Sequence, residues 1–178
     1  MKNFLRAAVL AAGLVCAPAM AGNTIEDHKN LWAAVERTGV TVQLNHPEHC
    51  DSGIAGWYSS LHGILMICQD ESVKAFDHVG WTDNDLDTLR HEAHHVLQDC
   101  ARGRVGDGML EHTMTSQFLA EVAHANGMTR DEIRSIQQRY AAQGANRNTV
   151  RQEVEAFIVA RGIDASTLAS TLDKHCTL

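Results

Sequence analysis

Apolar positions along the chain repeat with two different periods, and the changes of period mark out the elements. Ile25, Leu31, Trp32 and Val35 recur at helical spacing until Thr38-Gly39, which predicts a helix opening the body of the chain. Val40 to Leu44 reads as a strand. After the Asn45 to Gly53 loop, two short β-like runs, Gly56 to Ser60 and Gly63 to Cys68, lie close enough to pair as a hairpin. Leu86, Leu89, Ala93, Val96, Leu97 and Cys100 then form one apolar stripe at i, i+3, i+4 and i+7 spacing, which predicts a central helix ending at Cys100. Beyond the glycine-rich Gly103 to Gly108, helices are predicted over Met109 to Ala125, Thr129 to Gln143 and Thr149 to Arg161, with a short one near Ser166 to Lys174. Thr129 with Glu132 three residues on is a capping-box signature. No repeat or linker divides the chain, so one α+β domain over residues 22–178 is expected, a small antiparallel sheet packed on the central helix with further helices after it.

The first residues read as an address. Lys2 and Arg6 precede the apolar run Ala7 to Val15, and Ala19-Met20-Ala21 supplies small residues for cleavage, so residues 1–21 are expected to be a signal peptide and the mature protein to be secreted or periplasmic. Bulky Val15 ahead of Cys16 argues against lipoprotein processing. No later segment approaches the roughly 20 apolar residues of a membrane helix, so stable membrane insertion is not expected. The chain carries 15 basic and 22 acidic residues, and cleavage would remove Lys2 and Arg6 but no acid. That balance argues against nucleic acid as a partner.

Export also changes the meaning of the cysteines. Cys50, Cys68, Cys100 and Cys176 form an even set suited to two disulfides in an oxidising compartment. Three connectivities are open. Cys50 with Cys68, closing a local loop, and Cys100 with Cys176, tying the C-terminus to the central helix, is the favoured one. A four-cysteine zinc site would want paired C-x-x-C spacings, which are absent.

The chemistry sits on the central helix. His91-Glu92-Ala93-His94-His95 contains H-E-x-x-H, and a helix sets residues four apart on one face, so His91 and His95 can present nitrogens to one ion while Glu92 lies about 100° around the axis. Two neutral imidazoles and a third protein ligand suit Zn2+ with one position left for water, and Glu92 is placed to act as the catalytic base. His94 points away from the His91/His95 edge and is expected at the surface or in support of a ligand. Asp87 and Asp99, one turn before His91 and one turn after His95, could each hold an outer imidazole nitrogen or be ordinary surface acids.

The third ligand decides the kind of zinc enzyme. Metzincins continue the motif to a glycine and a third histidine, but those positions are Gln98 and Ala101 here. The segment Glu153-Val154-Glu155-Ala156-Phe157 resembles the E-x-E-A-D pattern of gluzincins, in which the first glutamate binds zinc; the resemblance implies Glu153 as ligand and a zincin-like fold. Phe157 stands where the gluzincins have an aspartate that orients a ligand histidine. Glu155 is the fallback ligand, because residues two apart face opposite sides of a helix, and Glu111 and His112 are weaker contenders. The segment from Thr88 to Cys100 is also similar to metallopeptidase-like sequences of bacteria and phages.

The resemblance implies a zinc metallopeptidase acting on peptide or protein substrates held along the edge strand, either Gly56 to Ser60 or Gly63 to Cys68. Trp57 and Tyr58 could line a subsite or pack in the core. Tyr140, His112 and His124 are the side chains available as donors to a developing oxyanion. Two other functions fit the same motif: a secreted zinc-binding module without turnover, and a cell-wall amide hydrolase. Oligomeric state and subsite preference are not legible.

Overall fold

The computed structural model describes residues 22–50, 53–70, 80–101 and 103–176. The expected signal peptide, residues 1–21 with Cys16, lies outside the described residues.

Helix α1 (Ile25–Arg37) starts where Thr24 accepts from the Asp27 amide while Asp27 reaches back to the cap, a complete capping box. Strands β1 (Thr41–Leu44), β2 (Gly56–Ser59) and β3 (Ile64–Ile67) follow, then α2 (Asp83–Cys100), opened by a second capping box of Thr82 and Asp85. The chain is completed by α3 (Ser116–Ala125), α4 (Arg130–Ala142), α5 (Arg147–Gly162) and α6 (Ala165–His175). The expected Thr129–Glu132 box opens α4.

The chain is α+β as expected, but its sheet is mixed rather than antiparallel. The order is β1-β3-β2: β2 pairs antiparallel with β3 through the anticipated hairpin, while β1 lies on the other side of β3 and runs parallel to it, Thr41 opposite Ile64 and Leu44 opposite Ile67. The cause is legible in β3 itself. Ile64-Leu65-Met66-Ile67 has no polar alternation, and Leu65, Met66 and Ile67 are fully buried, the profile of a strand with neighbours on both sides. The β2–β3 hairpin leaves only one flank of β3 for β1.

Helix α2 is the axis of the molecule. It packs against α1, α5, α6, β2 and β3, and every residue from Leu89 to Cys100 is buried. Leu89, Ala93, Val96 and Leu97 join Leu31, Val35, Leu65, Ile67, Val159, Leu168 and Leu172 in the main core. A second cluster, Ala123, Met128, Ile136 and Ile158, lies on the far side of α5 against α3 and α4. Helix α5 therefore faces two cores, and its polar Gln152 and Glu155 are buried. Gly162 lets α3 come close, since a Cβ there would sit 2.3 Å from Val122 Cγ1.

The cysteines pair as favoured. Cys50 bonds to Cys68 with Cα atoms 5.3 Å apart, and Cys100 to Cys176 with Cα atoms 5.4 Å apart. The first closes the loop between β1 and β2 onto the end of β3; the second locks α6 to the end of α2. Two disulfides are compatible with an extracellular location. Among the described residues no helix is long and apolar enough to cross a membrane.

One predicted helix is too long. Met109 to Thr115 is not helical, and α3 begins only at Ser116, capped by Thr115. The stretch runs across α2 and α5 instead: the Glu111 amide donates to the Gln98 carbonyl at 2.9 Å, and the Thr113 amide donates to Glu155 Oε1 at 2.9 Å. Bonds to side chains and carbonyls of other elements replace the helical ones.

Candidate metal centre

One turn of α2 separates His91 from His95, and their Nε2 atoms lie 3.1 Å apart. Helix α5 brings Glu153 Oε2 to 3.3 Å from His91 Nε2 and 3.5 Å from His95 Nε2. His91, Glu92 and His95 are buried and each offers an atom within 4.8 Å of the others, so this group could hold a metal ion.

The donor set fits such an ion. Tetrahedral zinc with bonds of about 2.0–2.1 Å separates its ligand atoms by about 3.3–3.4 Å, and the two imidazoles and Glu153 span a triangle of that size. The tautomer of His95 is set as well: its Nδ1 lies 2.7 Å from Gln98 Oε1, which can only accept, so Nδ1 carries the hydrogen and Nε2 is left with its lone pair facing His91 and Glu153. The Gln98 amide is oriented in turn by donation from its Nε2 to the Gln152 carbonyl at 3.3 Å.

His95 Nε2 and the Glu153 carboxylate both present lone pairs to this point, so a hydrogen or a metal ion belongs between them. With a proton in that role, burial works against the charge on His95, but Glu153, Glu92 and Gln98 outweigh it and push the imidazole up to about 9. His91 is driven down to about 4, by burial first, with the His95 charge beside it adding to the effect. Burial would raise the Glu153 carboxyl, yet the two histidines hold it well below the usual carboxylate range.

Glu92 lies beside this triangle, with a carboxylate oxygen within 4.8 Å of the two histidine nitrogens. Burial pushes its carboxyl up to about 7, and it lines an open cleft of about 480 Å³ together with His91. The cleft is lined by Gly53 to Gly56, by Asn84, Asp87 and Thr88 of α2, by Arg139 and Tyr140 of α4, and by Phe157 and Arg161 of α5. Gly56 is needed where the sheet meets the helix: a Cβ there would lie 2.7 Å from both Met66 O and Thr88 Cγ2 and 3.4 Å from Glu92 Cγ. Tyr140 lines the cleft, where burial first, and then the charges of Glu153 and Glu92, raise its pKa.

Several expected supports are arranged differently. Asp87 pairs with Arg90, not His91. Asp99 accepts from Tyr58 Oη at 2.6 Å and from the Gly106 amide at 2.9 Å, so it anchors β2 and the glycine-rich loop instead of His95. Gln98 takes the place foreseen for Asp99. His91 receives no such help: its Nδ1 is buried without a hydrogen-bond partner, and the Phe157 ring packs against the imidazole at a centroid distance of 4.5 Å. Ring packing by Phe157, not a hydrogen bond, is what holds the His91 imidazole on this side.

His94 is not at the surface. It is fully buried, with Nε2 2.9 Å from Glu155 Oε1. Glu155 faces away from His91 and His95 and also accepts from the Thr113 amide and hydroxyl, while His112 Nδ1 lies 3.1 Å from its Oε2. That engagement removes Glu155 and His112 from the metal triangle. Glu111 and His124 are exposed and line no part of the cleft, and neither Trp57 nor Tyr58 does; Trp57 packs edge-on against His49, and Tyr58 joins the main core. Comparison with protein-family models, with curated proteins and with solved structures returns no match.

Proposed function

We propose that this chain is a zinc-dependent peptide-bond hydrolase of gluzincin-like type, in which His91, His95 and Glu153 hold the ion and Glu92 is the general base. The observation that carries the reading is the buried triangle of two Nε2 atoms and one carboxylate oxygen, with edges of 3.1, 3.3 and 3.5 Å, opening beside a second, unpaired glutamate onto a cleft. Zinc, when bound, supplies a Lewis acid that polarises an acyl oxygen and acidifies water.

The protein's own groups supply the rest. Glu92, with its carboxyl raised to about 7 by burial, can accept a proton and return it to a leaving amine near neutral pH. Gln98 fixes the His95 ring, and Phe157 wedges the His91 ring. The Tyr140 hydroxyl, kept protonated, is a donor at the cleft wall. Strand β2 is an edge strand of the sheet among the described residues, and Gly53 to Gly56 lead into it along the cleft, which suits an extended peptide added as a further strand. A closed structural zinc site has no use for a carboxyl such as Glu92 facing an open cleft, which favours turnover over mere binding.

The test is Glu92→Gln assayed on a mixed peptide library with zinc supplied. Hydrolysis should fall by roughly 10²–10⁴-fold while zinc content stays at the wild-type level. Undiminished hydrolysis would remove Glu92 from the mechanism.

A further inference from the structure

Charged groups around the cleft divide by wall. On the α2 side stand Asp87 and Glu92; on the α4 and α5 side stand Arg139 and Arg161. The acid Asp87 is already paired with Arg90. Arg161 meets Glu132 at 3.5 Å, the outer limit of a hydrogen bond, and its charge also reaches Asp87, while Arg139 has no carboxylate partner among the described residues. Arg139 lines the same cleft as His91 and Glu92, beside Tyr140 on α4.

This placement stands out against the rest of the molecule. The sequence has a net charge of −7, with 22 acidic residues against 15 basic ones. A long-range field of that sign repels anions, so a guanidinium left unpaired at the cleft wall provides a local exception. Guanidinium offers a planar fork that matches a carboxylate in two parallel hydrogen bonds.

We infer that Arg139, assisted by Arg161, selects substrates that carry a carboxylate close to the bond that is cut. The inference rests on the hydrolase reading for the location of that bond, but the binding it describes does not need turnover. The carboxylate can belong to an aspartate or glutamate side chain or to a peptide C-terminus. Arg139 is a specificity residue, and the acid–base chemistry stays with Glu92.

Peptides in an alanine-leucine frame, capped at both ends and bearing Glu, Gln or Lys at one position, isolate the side-chain source; the Gln peptide with a free C-terminus isolates the other. Each is assayed for kcat/KM on the zinc-loaded wild type, and for equilibrium binding by calorimetry to zinc-supplemented Glu92→Gln. The anionic peptides should be favoured over the Lys peptide on the order of tenfold in both measurements, less at raised ionic strength. Arg139→Glu should reverse that order, and Arg139→Lys should keep its sign. The ratio is internal to each variant, and a thermal melt shows that each is folded. Equal treatment of all peptides, no binding of any of them, or a preference unchanged in Arg139→Glu overturns the inference. A preference in binding that depends on Arg139, with no peptide hydrolysed, would sink the hydrolase reading and leave the carboxylate site standing.

Discussion

Replacing Glu155 by glutamine separates the duties of the two glutamates on α5. Oε1 of Glu155 accepts from His94 Nε2 at 2.9 Å, from the Thr113 amide at 2.9 Å and from the Thr113 hydroxyl at 2.7 Å. A glutamine with its oxygen at that position keeps all three contacts as neutral bonds. Charged acceptors are worth about 1 kcal/mol more per bond than neutral ones, so the loss is about 3 kcal/mol. Linkage gives a similar figure: burial raises the Glu155 carboxyl, but His94 and Thr113 lower it further, to about 2 from an ordinary 4.5, which corresponds to roughly 3 kcal/mol for a side chain that is 1% exposed.

In a domain of this size the melting temperature should drop by about 6–12 °C. The sign of the pH dependence follows from the depressed folded-state pKa: the stabilisation is complete above the unfolded-state value and disappears as pH falls through the folded one. The gap between wild type and Glu155→Gln should therefore close between about pH 5 and pH 2. Zinc uptake should persist in Glu155→Gln and be lost in Glu153→Gln, since only Glu153 faces His91 and His95. Circular-dichroism melts across that pH range and zinc titrations of both variants check this. A Glu155→Gln protein that melts like wild type and cannot take zinc, beside a Glu153→Gln protein that can, would refute the assignment of the two carboxylates.

Gln98→Leu leaves the buried His95 Nδ1–H without an acceptor and frees the ring to turn; zinc affinity should weaken by about 10–100-fold, measured by competition with a chelator, and stability should fall by about 1–3 kcal/mol in denaturant unfolding. Removing Cys100 and Cys176, which close a loop of sequence separation 76, should cost about 4.5 kcal/mol by loop entropy, against about 3 kcal/mol for Cys50 and Cys68 with a separation of 18. Chemical denaturation of the two double alanine variants should rank them in that order, and the reverse order would contradict the loop-entropy argument.

Much of this site is visible in the order of residues, because H-E-x-x-H and a helical stripe are both periodic signals. The side chains around it are less so. The sequence leaves His94 either at the surface or in support of a ligand because the apolar stripe defines one face of α2, but α2 is surrounded, and a periodicity of apolar residues cannot reveal that His94, Gln98 and Asp99 are buried beside them. Several of their partners come from far along the chain, as with Glu155 for His94 at a separation of 61, Tyr58 for Asp99 at 41 and the Gln152 carbonyl for Gln98 at 54. The parallel pairing of β1 is a choice of flank, and only the unbroken apolar run of β3 hints at it. Met109 to Thr115 has helix-compatible residues but spends its amides on Gln98 and Glu155, a tertiary cause that local spacing does not carry. Gly56 had a possible signal, a glycine opening a strand, which often marks a close backbone approach.

The central claim is that His91, His95 and Glu153 form one metal site. Its most direct test is elemental analysis of purified protein spanning residues 22–178, dialysed against trace zinc, beside a His91→Ala/His95→Ala variant prepared identically. The account predicts one zinc per wild-type chain and none in the variant; a folded wild-type chain that takes up no zinc, or a variant that retains it, would contradict the account.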